Sequence, residues 1–285
     1  MKFITFFHTQ YGSSSLNWTN LYNTVATDFV FIPPSYAASY PSSHSTEMAA
    51  AIKKLIDGRS GKTTNIWIGT PGITSANFSI GYTSSNLTTF LKAVYNALGS
   101  TYQAKVAGAY MNQEAFYGDM DYNNPLGGSK PANKQLKIMS EIKTYVKNGN
   151  IKGKQLLWIP YYGKGTNAAK IIKDIGYAAD KVQIFDYCIM QPGYLFNPSE
   201  CPGNFDGICA SMRQNKVCYR DGVAVIASKV STTKIGFEME YDSRYVNNYQ
   251  AYVNAFSSYR SYPYGFYWAG YADDATFNAI NSFMR

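Results

Sequence analysis

Ile235-Gly-Phe-Glu238-Met-Glu240-Tyr-Asp242 alternates apolar and acidic side chains. Successive side chains of a strand point to opposite faces, so Glu238, Glu240 and Asp242 share one face while Ile235, Phe237, Met239 and Tyr241 share the other. The apolar set has the composition of a surface packed on a helix layer. Three carboxylates on one face are not packing residues, because buried acids need partners.

Outward from this strand the same unit recurs. Strand-like runs fall at 2–7, 28–33, 65–70, 106–112, 155–161, 182–190, 234–241 and 264–270, and helix-like runs at 46–57, 87–98, 134–147, 167–178, 221–230, 245–259 and 274–284. Strands alternating with helices imply a parallel sheet, and eight such units in 285 residues imply closure into a single (β/α)8 barrel spanning 1–285. A doubly wound open sheet is the competitor. It calls for a Gly-rich phosphate loop after an early strand, where this chain has His8-Thr-Gln-Tyr-Gly-Ser-Ser-Ser. The longest irregular stretches, 113–132 and 191–209, leave the C-terminal ends of strands four and six, the face on which barrel enzymes build their sites.

Strand four groups Gly108, Tyr110, Asn112 and Glu114 on one face. Glu114 therefore ends its strand at the barrel mouth with Asn112 below it, across from the strand-seven acids. Cleavage of a glycosidic bond needs such a pair, one acid protonated to assist the leaving oxygen and one ionised to attack the anomeric carbon or activate water. Glu114 is the candidate general acid/base. Glu240 is its candidate partner by depth along the strand, with Glu238 as the alternative or as a holder of a substrate hydroxyl. Asp242 either binds substrate or pairs with a basic residue such as Arg244.

Aromatic residues gather at strand ends: Trp67, Trp158, Tyr161, Tyr162, Tyr187, Tyr194, Phe266, Tyr267, Trp268 and Tyr271. Their rings suit the apolar faces of sugars, and Tyr110, Asn112, Gln191 and Asn197 are candidate hydrogen-bonding partners. His8, at the end of strand one, is a candidate for a substrate hydroxyl or the general acid. With only His8 and His44 in the chain, a His-rich zinc site is excluded, and no metal or cofactor is expected. A Ser-His-Asp hydrolase lacks its G-x-S-x-G elbow.

Charged residues make up 15% of the chain and aromatic residues 16%, a balance that argues against disorder. The formal charge of +8 is spread along helix-like segments, as in Lys134, Lys137, Lys143 and Lys147, which reads as solvated helix surface and not as a nucleic-acid stripe. No segment reaches the length of a membrane span, and the apolar run 3–7 is too short for a signal peptide. A monomer that takes a carbohydrate partner is expected, secreted or at the cell surface if a signal peptide has been removed, with a cytoplasmic location as the alternative. Cys188, Cys201, Cys209 and Cys218 lie in one segment without metal-ligand spacing. Local disulfides bracing the loop, for instance Cys201 with Cys209, are expected, with buried thiols as the alternative. Asn17-Trp-Thr, Asn77-Phe-Ser and Asn86-Leu-Thr fit glycosylation acceptors but arise readily by chance in such a composition.

Leu157-Trp-Ile-Pro-Tyr-Tyr162-Gly, Phe185-Asp-Tyr-Cys-Ile-Met-Gln191-Pro-Gly-Tyr194 and Gly236-Phe-Glu238-Met-Glu240 resemble signatures of a bacterial domain-of-unknown-function family of glycosidase-like barrels, often seen beside carbohydrate-binding modules. The resemblance runs from about residue 106 to the C-terminus. It implies a (β/α)8 fold, a carbohydrate substrate and acids on strands four and seven, as in the broad clan of retaining barrel glycosidases. That clan usually has Asn directly before the strand-four acid, where this chain has Gln113. A glycoside hydrolase is the leading expectation, and a catalytically silent, lectin-like barrel the second. An anionic cell-wall polymer as substrate is a third, suggested only by the net charge.

Overall fold

The computed structural model describes residues 1–7, 17–33, 42–75, 77–228, 231–268 and 274–285. Eight parallel strands close a barrel in chain order: β1 (Lys2–Phe7), β2 (Asp28–Ile32), β3 (Asn65–Gly69), β4 (Val106–Met111), β5 (Gln155–Trp158), β6 (Tyr187–Met190), β7 (Lys234–Tyr241) and β8 (Tyr264–Trp268). Closure is made by β8 pairing with both β7 and β1, with Glu240 opposite Tyr267 and Phe3 opposite Gly265. The expected (β/α)8 barrel is the fold.

Helices α1 (Trp18–Asn23), α2 (Ser42–Gly58), α3 (Ser84–Leu98), α4 (Ser100–Gln103), α5 (Pro131–Tyr145), α6 (Ala168–Gly176), α7 (Asn204–Gln214), α8 (Val246–Phe256) and α9 (Asp274–Met284) lie between and after the strands. Helix α3 shows why they form. Thr83 and Asn86 make a reciprocal capping box, and Leu87, Phe90, Leu91, Val94 and Leu98 supply a buried stripe at helical spacing. The outward residues of β7, Ile235, Phe237 and Met239, join the core beneath this helix layer.

A second, smaller core fills the barrel itself with Phe3, Val30, Trp67, Tyr110, Leu157, Tyr187 and Ile189. Trp67 packs edge-on against Phe3 and Tyr187 at 5.7 and 5.8 Å, and its indole N–H donates to the Asp28 carboxylate at 3.1 Å. Space for that indole depends on Gly108, where a Cβ would lie 2.8 Å from the Trp67 ring and 2.2 Å from the Gln155 carbonyl. Asp28 is the first residue of β2, so Trp67 plugs the N-terminal end. The polar cluster is left to the C-terminal mouth.

The segment after β4 is held by its neighbours. The buried Asn133 side chain accepts from the Asp121 N–H at 2.7 Å and donates to the carbonyls of Asp121, Asn124 and Pro125. Tyr122 donates to Asp174 at 2.7 Å, and Lys170 to the Gly118 carbonyl at 2.7 Å. Buried backbone groups need such partners.

Three expectations are corrected. The helix after β6 is Asn204–Gln214, inside and beyond the stretch expected to be irregular, and residues 221–228 are not helical. There a turn is closed by the antiparallel bridge of Cys218 with Ala224. Strand six begins at Tyr187 and not at 182, because residues 177–181 continue the preceding helix as a π turn and Gln183 has a left-handed φ of 59°. All four cysteines are buried free thiols. Cys201, Cys209 and Cys218 donate to the carbonyls of Gly193, Ala255 and Lys216, so each thiol is satisfied by a different segment.

Candidate active site

Glu114 stands three residues past the end of β4, and its carbonyl accepts the Tyr161 N–H at 2.8 Å, which ties the ends of β4 and β5 together. Gln191, just past β6, is fixed in turn: its N–H donates to the Pro160 carbonyl at 2.9 Å and its side-chain amide to the Ile159 carbonyl at 3.0 Å. That amide also hydrogen-bonds the Glu114 carboxylate. Glu238 and Glu240 face the barrel interior from β7 and are buried, at 2% and 6% exposure. Glu240 accepts a hydrogen bond from the Tyr252 hydroxyl of α8 and one from the Leu195 N–H. The Tyr252 oxygen itself accepts the N–H groups of Tyr194 and Leu195, at 3.0 and 3.2 Å.

These surroundings raise the proton affinity of all three acids. Burial raises the Glu238 carboxyl well above the usual carboxylate range, and the neighbouring Glu240 and Glu114 raise it further. Burial also raises Glu240, but the Tyr252 and Leu195 hydrogen bonds hold it to about 6. Glu114 keeps an exposed edge at the mouth, yet loss of solvent still raises it, with partial offset from the Gln191 hydrogen bond. Of the two β7 acids, Glu238 is the more strongly driven toward its protonated form. Tyr110 and Tyr267 line the same space: burial raises both hydroxyls, with Glu114 first among the carboxylates acting on Tyr110 and Glu238 first on Tyr267, and Tyr267 reaches about 12. They stay protonated as donors.

A raised carboxyl in the folded state stabilises the protein below its ordinary value near 4.5, and that stability is lost as pH rises through the raised value. Glu238→Gln removes this loss while keeping the shape of the side chain. The variant's Tm advantage over the wild type is therefore expected to widen from pH 5 to pH 9. Parallel Tm curves across that range would sink the assignment of a buried, protonated Glu238.

Of the other expected site residues, Tyr110, Tyr161 and Gln191 lie with the acids. Asn112 is half-buried one residue past β4, its amide nitrogen buried without a partner among the described residues. Tyr161 is influenced by Glu240 and hydrogen-bonds Cys201. Trp67 is at the barrel floor and not at the mouth. Trp158 points outward, stacked on Phe185 at 4.7 Å with its N–H on the Gln113 carbonyl, because its neighbours Leu157 and Ile159 take the inward face. Tyr194 packs its ring on Phe205 at 4.7 Å. Asp242 is bound by Arg244, whose Nε donates to it at 2.9 Å, and this hydrogen bond lowers its pKa. The Gln113 side chain accepts the N–H groups of Ile73 and Thr74, both at 3.1 Å, so it braces the loop after β3. Asp186 pairs with Lys143. His8 and Tyr271 lie outside the described residues, as does the side chain of Trp268. Sequence reasoning missed Tyr252 and the Leu195 N–H, the two groups that hold Glu240.

Among the described residues no cluster of His, Cys, Asp or Glu is arranged to hold a metal ion, and no helix is long and apolar enough to cross a membrane.

The closed parallel barrel is shared, at the level of fold, with solved structures of low sequence identity. A GH18 chitinase from Pseudoalteromonas aurantia superposes with a TM-score of 0.53 and 13% identity, over 99% of this chain and 97% of that one. The C-terminal domain of Legionella pneumophila ChiA gives 0.51 and 9%, over 100% and 97%. A GH5_18 protein from Streptomyces cattleya, solved with Manβ1-4GlcNAc, gives 0.52 and 9%, over 88% and 64%. No protein-family model and no curated protein matches the chain.

Proposed function

We propose that the protein is a glycoside hydrolase acting on a polysaccharide or glycan, with Glu114 as general acid/base and Glu240 as its ionised partner. The observation that carries this reading is the meeting of acids from β4 and β7 in one mouth, where Glu240 and Glu114 both act on Glu238. Carboxyls raised above their ordinary value by their surroundings are what acid–base chemistry near neutral pH requires. Glu114, raised and edge-exposed, is suited to protonate the leaving oxygen. Glu240, held by two donors, is suited to meet the anomeric carbon or the attacking water. Glu238, the most strongly driven toward its protonated form, is suited to donate to a sugar hydroxyl or to the oxygen of its neighbour. The resemblance of the sequence to glycosidase-like barrels and the chitinase and GH5 fold neighbours support the same class.

The test is a panel of purified polysaccharides incubated with wild-type protein and with Glu114→Gln, reading new reducing ends. Release by the wild type alone is expected, and its rate is expected to fall as pH drops through about 6, where Glu240 gains its proton. Binding without release from any polymer would favour the lectin-like alternative.

A further inference from the structure

The most exposed large apolar side chain of the described residues is Phe78, 62% exposed at the tip of the turn that follows β3. Its backbone is left-handed, with φ of 57°, a region that favours Gly and Asn and in which a bulky side chain is strained. The turn enforces that conformation. The Phe78 N–H donates to the Ser75 carbonyl at 2.9 Å, the Ser75 N–H to the Ser79 carbonyl at 2.8 Å, and Thr74 bridges Ile80. Neither burial nor backbone preference explains a phenylalanine here. Its ring lies 4.6 Å from that of Tyr117, in the loop after β4 that Glu114 begins.

A second exposed aromatic pair stands on the other side of the acids. Phe196, 41% exposed, follows the Leu195 whose N–H holds Glu240, and Tyr245, 37% exposed, follows β7. Their rings meet edge to face at 5.3 Å, and the Arg244 guanidinium lies over the Tyr245 ring. Both pairs belong to loops at the C-terminal face, one at β3 and β4, the other at β6 and β7. The carboxylates of β4 and β7 lie between them.

We infer that these pairs are two sugar-stacking shelves flanking the acids, and that the ligand is an extended polysaccharide chain that lies across the mouth and contacts both, so that cleavage is internal to the polymer. The inference rests on the glycosidase reading for the cleavage step but not for binding. Aromatic rings accept the apolar faces of pyranose rings in water. A chain end held in a closed pocket would need a shelf on one side only. Two shelves separated by the acids select a ligand longer than either, and the contacts far from the reacting bond supply binding energy that a short ligand lacks.

Affinity electrophoresis in native gels containing glycol chitin, laminarin, hydroxyethyl cellulose or xyloglucan tests this without requiring hydrolysis. The wild type is expected to be retarded by at least one polymer. Phe78→Asn and Phe196→Ser/Tyr245→Ser are each expected to weaken that retardation roughly ten-fold, as the apparent dissociation constant. Because Asn accepts the left-handed backbone that Phe resists, the Tm of Phe78→Asn is expected to stay level or rise, which separates loss of a shelf from loss of fold. Retardation unchanged in both variants, or no retardation of the wild type by any of the four polymers, overturns the proposal. Retardation that depends on both shelves without hydrolysis leaves the shelves standing and removes the glycosidase reading.

Discussion

Glu114→Gln is expected to lower kcat on a natural glycan by roughly 10²- to 10⁴-fold, the usual contribution of a general acid, with the protein still folded. The amide has the shape of the acid and can still meet Gln191, but it has no proton to give. The loss should depend on the leaving group. A glycan leaves as an alkoxide unless its oxygen is protonated, whereas a dinitrophenyl glycoside departs as a stable phenolate. Glu114→Gln should therefore cleave the activated substrate much closer to the wild-type rate. Equal losses on both substrates would mean that Glu114 serves binding alone. Normal cleavage of the glycan would remove it from the chemistry.

The barrel was legible because its strands obey a period of two on a parallel sheet covered by helices. In β7 the alternation of Phe237 and Met239 with Glu238 and Glu240 fixes which side chains meet helices and which meet one another. Trp158 shows the same rule neglected: an aromatic residue at a strand end suits a cleft or a helix interface equally, and only its parity with Leu157 and Ile159 assigns it to the interface. Helix α7 was illegible for a different reason. Its buried face includes Asn204 and Ser211, polar residues that read as loop. Asn204 is satisfied by carbonyls of Gly163 and Pro192 that the fold brings to it, and Ser211 by the Gly207 carbonyl one turn back in the helix. The free thiols follow the same logic, since whether Cys201 and Cys209 meet depends on a helix that composition did not reveal. Tyr252 carries no local signal at all. It lies on the helix behind the strand it serves, and its hydroxyl reaches Glu240 only once α8 packs on β7.

That placement of Tyr252 makes Glu240 the residue to remove. Glu240→Ala is expected to lose activity on the order of 10⁴-fold or more, because a nucleophile or base acts as a unit with its acid partner. Loss alone does not separate attack from positioning, so the informative measurement is chemical rescue. If Glu240 forms a covalent glycosyl intermediate, the space left by its carboxylate admits azide. Azide then attacks the anomeric carbon of an activated aryl glycoside, expels the phenolate and leaves a glycosyl azide of inverted configuration, visible by NMR. The cradle should survive the substitution, because Tyr252 still accepts the N–H groups of Tyr194 and Leu195 and keeps that loop in place. A glycosyl azide from Glu238→Ala and none from Glu240→Ala would move the nucleophile two residues deeper along β7. The hydrogen bonds of Tyr252 and Leu195 favour Glu240: they stabilise a carboxylate that burial otherwise penalises, whereas burial and two neighbouring acids push Glu238 toward the protonated form, the form that cannot attack.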